Sequence, residues 1–282
     1  MVLSEIIRLE GPQFPAKLNS QTRYIMQKLT LTFASLLLLV SIVSCQSNVE
    51  KSLPELSPEF TAVLDAHGEW QKWFNAKAES YSMIHEGIMI EENAFINLES
   101  RQIRLSTTDF EIGFDGYQTW ISPNREAYSG ESLKFYHNLY FYFFNIPYVF
   151  TDQGVTVEKV EDKLLNGKKY PTFQAKFDAN TALTNPKNQY FMLVNPETNR
   201  VEYVLYSVPS NDSENPPLSA LKYDDYRESN GVFFPRILTG YTIENDSTKI
   251  LKYQVTIADA LLLDEEFDSE IFEKPKEGIY AD

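Results

Sequence analysis

The chain has 282 residues, 43% hydrophobic and 14% aromatic, with 17 Tyr and 19 Phe; so many large apolar side chains exclude a disordered protein and suit one large domain with its own core. Its formal net charge is −15, from 25 basic and 40 acidic residues, which argues against nucleic acid as a partner and against attachment to anionic lipid through a basic surface. A single cysteine excludes an internal disulfide.

The first 25 residues, with Pro12, Pro15 and mixed charge, do not have the form of a leader. Met26-Gln27-Lys28 followed by the apolar run from Leu29 to Ser44 does: a short basic region and then an apolar one. The run is shorter than the about 20 apolar residues of a membrane span. It ends in Ile42-Val43-Ser44-Cys45, which resembles the lipobox of bacterial lipoproteins, whose cysteine is acylated and becomes the new N-terminus. Residues 1–44 are therefore expected to be a signal region, with translation starting at Met26 or, alternatively, a long basic leader in which Arg23 and Lys28 flank the apolar run; both place cleavage before Cys45. Residues 45–57 are then a lipidated tether and 58–282 a single domain. Gln46, where some bacteria use aspartate to retain lipoproteins in the inner membrane, points to the outer membrane, facing the periplasm.

Ser57-Pro58-Glu59 is a helix start, and Phe60, Val63, Leu64, His67, Trp70 and Phe74 follow at helical spacing. One amphipathic helix is predicted over about residues 58–77, with Gly68 inside it marking a close contact. From Ser80 the period becomes two: Tyr81, Met83, His85 and Gly87 share one face; Ser82, Ile84, Glu86 and Ile88 share the other. Further strands are expected at 94–106, 109–114 and 117–122, the last two flanking Asp115-Gly116 as a two-residue hairpin. Asn166-Gly167, Asn195 to Asn199, Asn230-Gly231 and Asn245-Asp246-Ser247 separate later apolar runs in the same way. Repeated hairpins predict an antiparallel meander of ten or eleven strands, curled into a barrel or half-barrel, with no second core. Pro209 to Pro217 reads as a long exposed loop.

One stretch interrupts the strands. Nine of the sixteen residues from Phe135 to Phe150 are aromatic. Tyr136, Tyr140 and Phe143 fall on one helical face, and Phe135, Leu139, Tyr142 and Ile146 on another. Such a helix is buried on several sides, and Pro147 stops it. Together with the N-terminal helix it is expected to cover the mouth of the half-barrel.

The stretches AHGEWQKW (66–73), FEIGFDGYQTWISP (110–123), KFYHNLYFYFFNIPYVFTDQGV (134–155), YFMLVNPETNRVEYVLYS (190–207), LKYDDYRESNGVFFPRILTGY (221–241) and FEKP (272–275) resemble a family of Bacteroidota lipoproteins of unknown function, the DUF6503 type. That family is similar in turn to the LolA/LolB lipoprotein-carrier architecture, a curved antiparallel half-barrel whose mouth is covered by helices. The resemblance implies an apolar cavity between helices and sheet. No functional residue of the carriers maps onto this chain.

No nucleophile elbow, phosphate-binding glycine loop or dinucleotide fingerprint is present. His67, His85 and His137 lack close metal-ligand spacing, and no cofactor is expected. The favoured expectation is a non-enzymatic envelope lipoprotein that holds a lipid or acyl chain, with Trp70, Trp120, Tyr136, His137, Tyr140, Phe143 and Phe144 as candidate lining residues. Two alternatives stand beside it. A scaffold would bind protein partners through strand edges and aromatics. A hydrolase would need His137 in a polar pocket beside a carboxylate or hydroxyl.

Overall fold

A computed structural model describes residues 53–87, 89–130, 132–178, 189–207 and 217–281, all within the compact unit Ser52–Asp282. The expected signal region at 1–44, Cys45 and most of the 209–217 loop lie outside the described residues, so the structure does not bear on them.

Three α-helices are described: α1 (Pro58–Ala66), α2 (Trp70–Asn75) and α3 (Leu133–Phe144). The Ser57 hydroxyl accepts the Phe60 N–H at 3.2 Å and so caps α1, as its sequence predicts. The single helix expected over 58–77 is instead two. Gly68 has φ +94°, and the backbone there turns outward to pair with a strand hairpin: Glu69 N–H donates to Gly231 O and Phe233 N–H to His67 O. A Cβ at Gly68 would collide with the Gly231 carbonyl oxygen. The close contact expected at Gly68 is present, and it breaks the helix because helical geometry cannot make those bonds.

Thirteen strands form one open antiparallel sheet: β1 (Ala78–His85), β2 (Ile90–Asn97), β3 (Ile103–Ser106), β4 (Glu111–Phe114), β5 (Thr119–Ser122), β6 (Val155–Leu165), β7 (Lys168–Phe177), β8 (Tyr190–Val194), β9 (Val201–Tyr206), β10 (Ser219–Ser229), β11 (Val232–Glu244), β12 (Ser247–Leu263) and β13 (Ile279–Tyr280). The antiparallel expectation holds, while the count exceeds ten or eleven. The stretch 94–106 contains the end of β2, a turn with Arg101 at φ 60°, and β3. Asn166-Gly167, Asn230-Gly231 and Asn245-Asp246 make two-residue turns with positive φ at both positions. Asp115-Gly116 differs. It belongs to a four-residue loop in which Asp115 Oδ1 accepts the N–H groups of Tyr117 and Gln118.

The strand order is β13-β5-β4-β3-β2-β1-β12-β11-β10-β9-β8-β7-β6. There are thus two meanders, not one. β1 to β5 step toward one edge; the chain then crosses by way of α3 to the opposite edge, and β6 to β12 step back until β12 pairs with β1.

The helices pack on one face of the sheet, where Phe60, Leu64, Trp73, Phe144 and Tyr148 join Met83, Val204 and Phe234 in the main core. A smaller cluster lies on the other face of the same sheet, within the same compact unit: Leu165, Tyr170, Leu193, Tyr203, Leu205 and Ala220. It exists because the sheet curls. β7 and β11 are four strands apart, about 19 Å across a flat sheet. Yet Asn166 N–H at the β6–β7 tip donates to Asp246 O at the β11–β12 tip at 2.8 Å. Residues 267–272 cover the same face farther along, where Trp120 Nε1 donates to Phe272 O at 2.8 Å and Phe267 packs edge-on to Phe95.

Candidate functional site

The candidate lining residues do not converge on one cavity. Trp120 is on the face away from the helices, its indole lying over Gly113, which has no side chain to displace it. Trp70 is buried in α2, with its indole N–H donating to Asp65 Oδ1 at 3.2 Å. On α3, Phe143 packs on Tyr206 with ring centroids 4.7 Å apart, and Phe144 stacks on Phe234 at 5.0 Å. His137 is buried and stacked on Phe114 at 5.8 Å. Its Nε2 lies 3.5 Å from Thr119 Oγ1, and its Nδ1 has no protein partner. Burial, and then nearby Lys134, push its pKa down to about 4. A ring sealed in this way is a poor general base for a substrate in solvent.

Beneath α3 runs a polar seam that the sequence reading passed over. Glu79, Tyr81, Met83 and His85 alternate onto the inward face of β1, and Glu92 sits opposite Met83 on β2. Each carboxyl holds the helix with one oxygen. Tyr136 O–H donates to Glu92 Oε2 at 2.8 Å, and Asn145 Nδ2, at the C-terminal end of α3, donates to Glu79 Oε2 at 2.7 Å. The Trp73 indole N–H donates to Asn145 Oδ1 at 2.6 Å, tying α2 into the same network. The second oxygen of each carboxyl, the Tyr81 hydroxyl and His85 Nε2 have no protein partner. His85 lies edge-on to Tyr140 at 5.1 Å and stacks on Tyr136 at 6.5 Å. Burial pushes Glu79 up to about 8 against the opposing pull of Asn145 and Arg101, and Glu92 up to about 7 against the Tyr136 bond. The available signal was parity: two-residue alternation from Tyr81 places Glu79 inward. Among the described residues, no three His, Cys, Asp or Glu side chains are grouped as a metal site requires.

His67 is equally sealed. Its Nδ1 is 2.7 Å from Val63 O, and its Nε2 accepts the Val201 N–H at 3.3 Å. The ring is therefore a neutral tautomer with its proton on Nδ1, and burial lowers its pKa to about 4. It joins α1 to β9.

An opening lies elsewhere. The β11–β12 ladder runs from Glu244↔Ser247 to Ile237↔Thr256 and stops. Beyond it, β12 follows β1 as far as Leu263↔Ala78, and β11 follows β10 as far as Val232↔Ser229. The Phe233 amide and carbonyl bond to His67 O and the Tyr148 hydroxyl instead of to β12. Pro235 has no N–H with which to extend the ladder. The parting strands leave a cleft of about 530 Å³ that passes between them to α3. Phe144, Phe234, Pro235 and Ile257 form its apolar floor, and Arg227, Glu228, Arg236 and Asp259 its rim. Both arginines are paired to the one carboxylate of Asp225, at 3.0 and 2.5 Å, and the rim acids Glu228 and Asp259 balance the remaining positive charge. The far end is bridged by Ser229 Oγ donating to Ala260 O. Of the seven candidate lining residues, Phe144 reaches this cleft.

A family model described as a family of unknown function, DUF6503, matches residues 118–252, from the start of β5 into β12. This agrees with the resemblance read from the sequence. In structure the chain is similar to a LolA superfamily protein from Nitrosomonas europaea (TM-score 0.47, 10% identity, 76% of this chain and 97% of that one). It is also similar to a DUF1329 family protein from Desulfovibrio piger (TM-score 0.46, 10% identity, 77% and 98%). No curated protein matches the chain in sequence.

Proposed function

We propose that the protein is a non-enzymatic envelope lipoprotein that binds a lipid or acyl chain in the cleft between β11 and β12. The observation that carries this reading is the cleft itself: about 530 Å³ with a floor of Phe144, Phe234, Pro235 and Ile257, within the size range of sites that enclose small apolar ligands. Burying a few hundred Å² of chain at ~25 cal/mol/Å² gives several kcal/mol before ordering costs. The envelope location and the lipid anchor rest on the apolar run ending at Cys45. The sealed His137 ring weighs against a hydrolase built around it. The site differs from the one expected under the helices, since α3 and the sheet pack against each other there through Phe143, Phe144 and Tyr81.

The test is titration of the full chain with a dansylated fatty acid, followed by displacement with palmitate. Ala258 is an exposed lining residue, and Ala258→Trp is expected to weaken binding at least about tenfold with an unchanged far-UV spectrum. No displaceable binding by the unaltered chain, or equal binding by the variant, refutes the proposal.

A further inference from the structure

We infer that the joined tips of the β6–β7 and β11–β12 hairpins are a contact surface for an anionic lipid bilayer. Three large aliphatic side chains lie within three residues of the joint and belong to no core of the protein: Leu164 is 51% exposed, Ile250 66% and Leu251 56%. Elsewhere the exposed positions of edge strand β6, Thr156, Glu158, Lys159 and Glu161, are polar or charged, as suits an edge facing water. That pattern fails at the tip.

The charge there also reverses. In a chain with 25 basic and 40 acidic residues, the segments 163–169 and 249–252 hold Lys163, Lys168, Lys169, Lys249 and Lys252 and no acid. Lys169, Lys249 and Lys252 are exposed, while Lys168 is paired with Glu202 at 3.0 Å. The joint also carries the exposed acids Glu244 and Asp246, so that over 163–169 and 244–252 five lysines stand against two acids. The overall negative charge argues against lipid contact in general; this end is the local exception.

The two tips form one platform. Besides the Asn166 N–H bond to Asp246 O, Asn166 Oδ1 accepts from Thr248 N–H at 2.9 Å and from its hydroxyl at 3.2 Å. Aliphatics interleaved with lysines on a fixed surface match the two terms of interfacial binding, shallow burial of apolar groups and attraction to lipid phosphates. This inference does not depend on the cleft.

The experiment uses the full chain with Cys45→Ser, labelled with an environment-sensitive dye at Ile250→Cys or, as a control, at Tyr117→Cys on the β4–β5 loop. The protein is mixed with vesicles of one part phosphatidylglycerol to three parts phosphatidylcholine. The dye at 250 is expected to be shielded several-fold from iodide relative to the dye at 117. The shielding should be lost in about 1 M salt and in pure phosphatidylcholine. Replacing Lys169, Lys249 and Lys252 by Gln should weaken the contact about a hundredfold. These lysines are exposed, and the salt series on the otherwise unaltered chain repeats the test without them. Equal quenching at both positions overturns the inference, as does shielding that ignores salt and lipid charge or that appears only with added protein.

Discussion

Glu79→Gln should make the protein more stable in alkali while changing it little in acid. The ordinary value of this carboxyl is 4.5, and burial raises it to about 8 in the fold. Above pH 4.5 the unfolded chain releases a proton that the folded chain still holds. Stability is therefore fully present below 4.5 and falls as pH rises, levelling off above about 8. At 1.36 kcal/mol per unit of displaced pKa, the loss across that window is about 5 kcal/mol. Glutamine keeps an oxygen for the Asn145 amide and removes the titration. It places an amide N–H₂ where the carboxyl oxygen has no protein partner, which costs about 1 kcal/mol at low pH. The two urea-unfolding free energies should therefore cross, the variant leading by several kcal/mol near pH 9. Denaturation of both proteins from about pH 5 to about pH 9 measures this directly. Parallel curves would refute the reasoning, because a carboxyl with an ordinary folded pKa cannot separate them.

Other perturbations probe other parts of the fold. His67 behaves in the opposite sense: its folded pKa of about 4 lies below the ordinary 6.5, so its stabilisation is present above 6.5 and is lost, by about 3 kcal/mol, as pH falls through 4. Imidazole NMR shifts should show His67 still neutral at about pH 5. Gly68→Ala should destabilise by about 3 kcal/mol in urea, since it combines a strained positive φ with collision against Gly231 O. Cys45→Ser should abolish incorporation of labelled palmitate in a bacterial host with lipoprotein processing; retained label would remove the lipobox reading.

Features that depend on a few neighbouring residues were legible in the sequence. Ser57 caps α1, Asn-Gly pairs turn the hairpins, α3 ends before Pro147, and Tyr81, Met83 and His85 share a buried face. What failed was non-local. Nothing near Gly68 says that Gly231 will approach it. Hairpin signals say nothing about β12 beside β1, so two meanders read as one. Trp120 looked like a lining residue because of its type, but its register opposite Gly113 turns it to the other face. The cleft depends on where one ladder ends, and Pro235 within a strand was its only local sign. Glu79 and Glu92 were readable by parity, yet acidic residues are ordinarily assigned to solvent.

The pairing of β1 with β12 sets the order in which the chain can complete its fold. β1 is made first and lies inside the sheet, but one of its two neighbours is β12, which ends at Leu263. Until that strand arrives, β1 is an unfinished edge, and α3 spans two half-sheets that are not yet joined. Closing contacts of such sequence separation is slow compared with hairpin formation. A chain with this topology stays threadable through most of its synthesis, and its sheet locks as one piece only when the strand ending at Leu263 is in place.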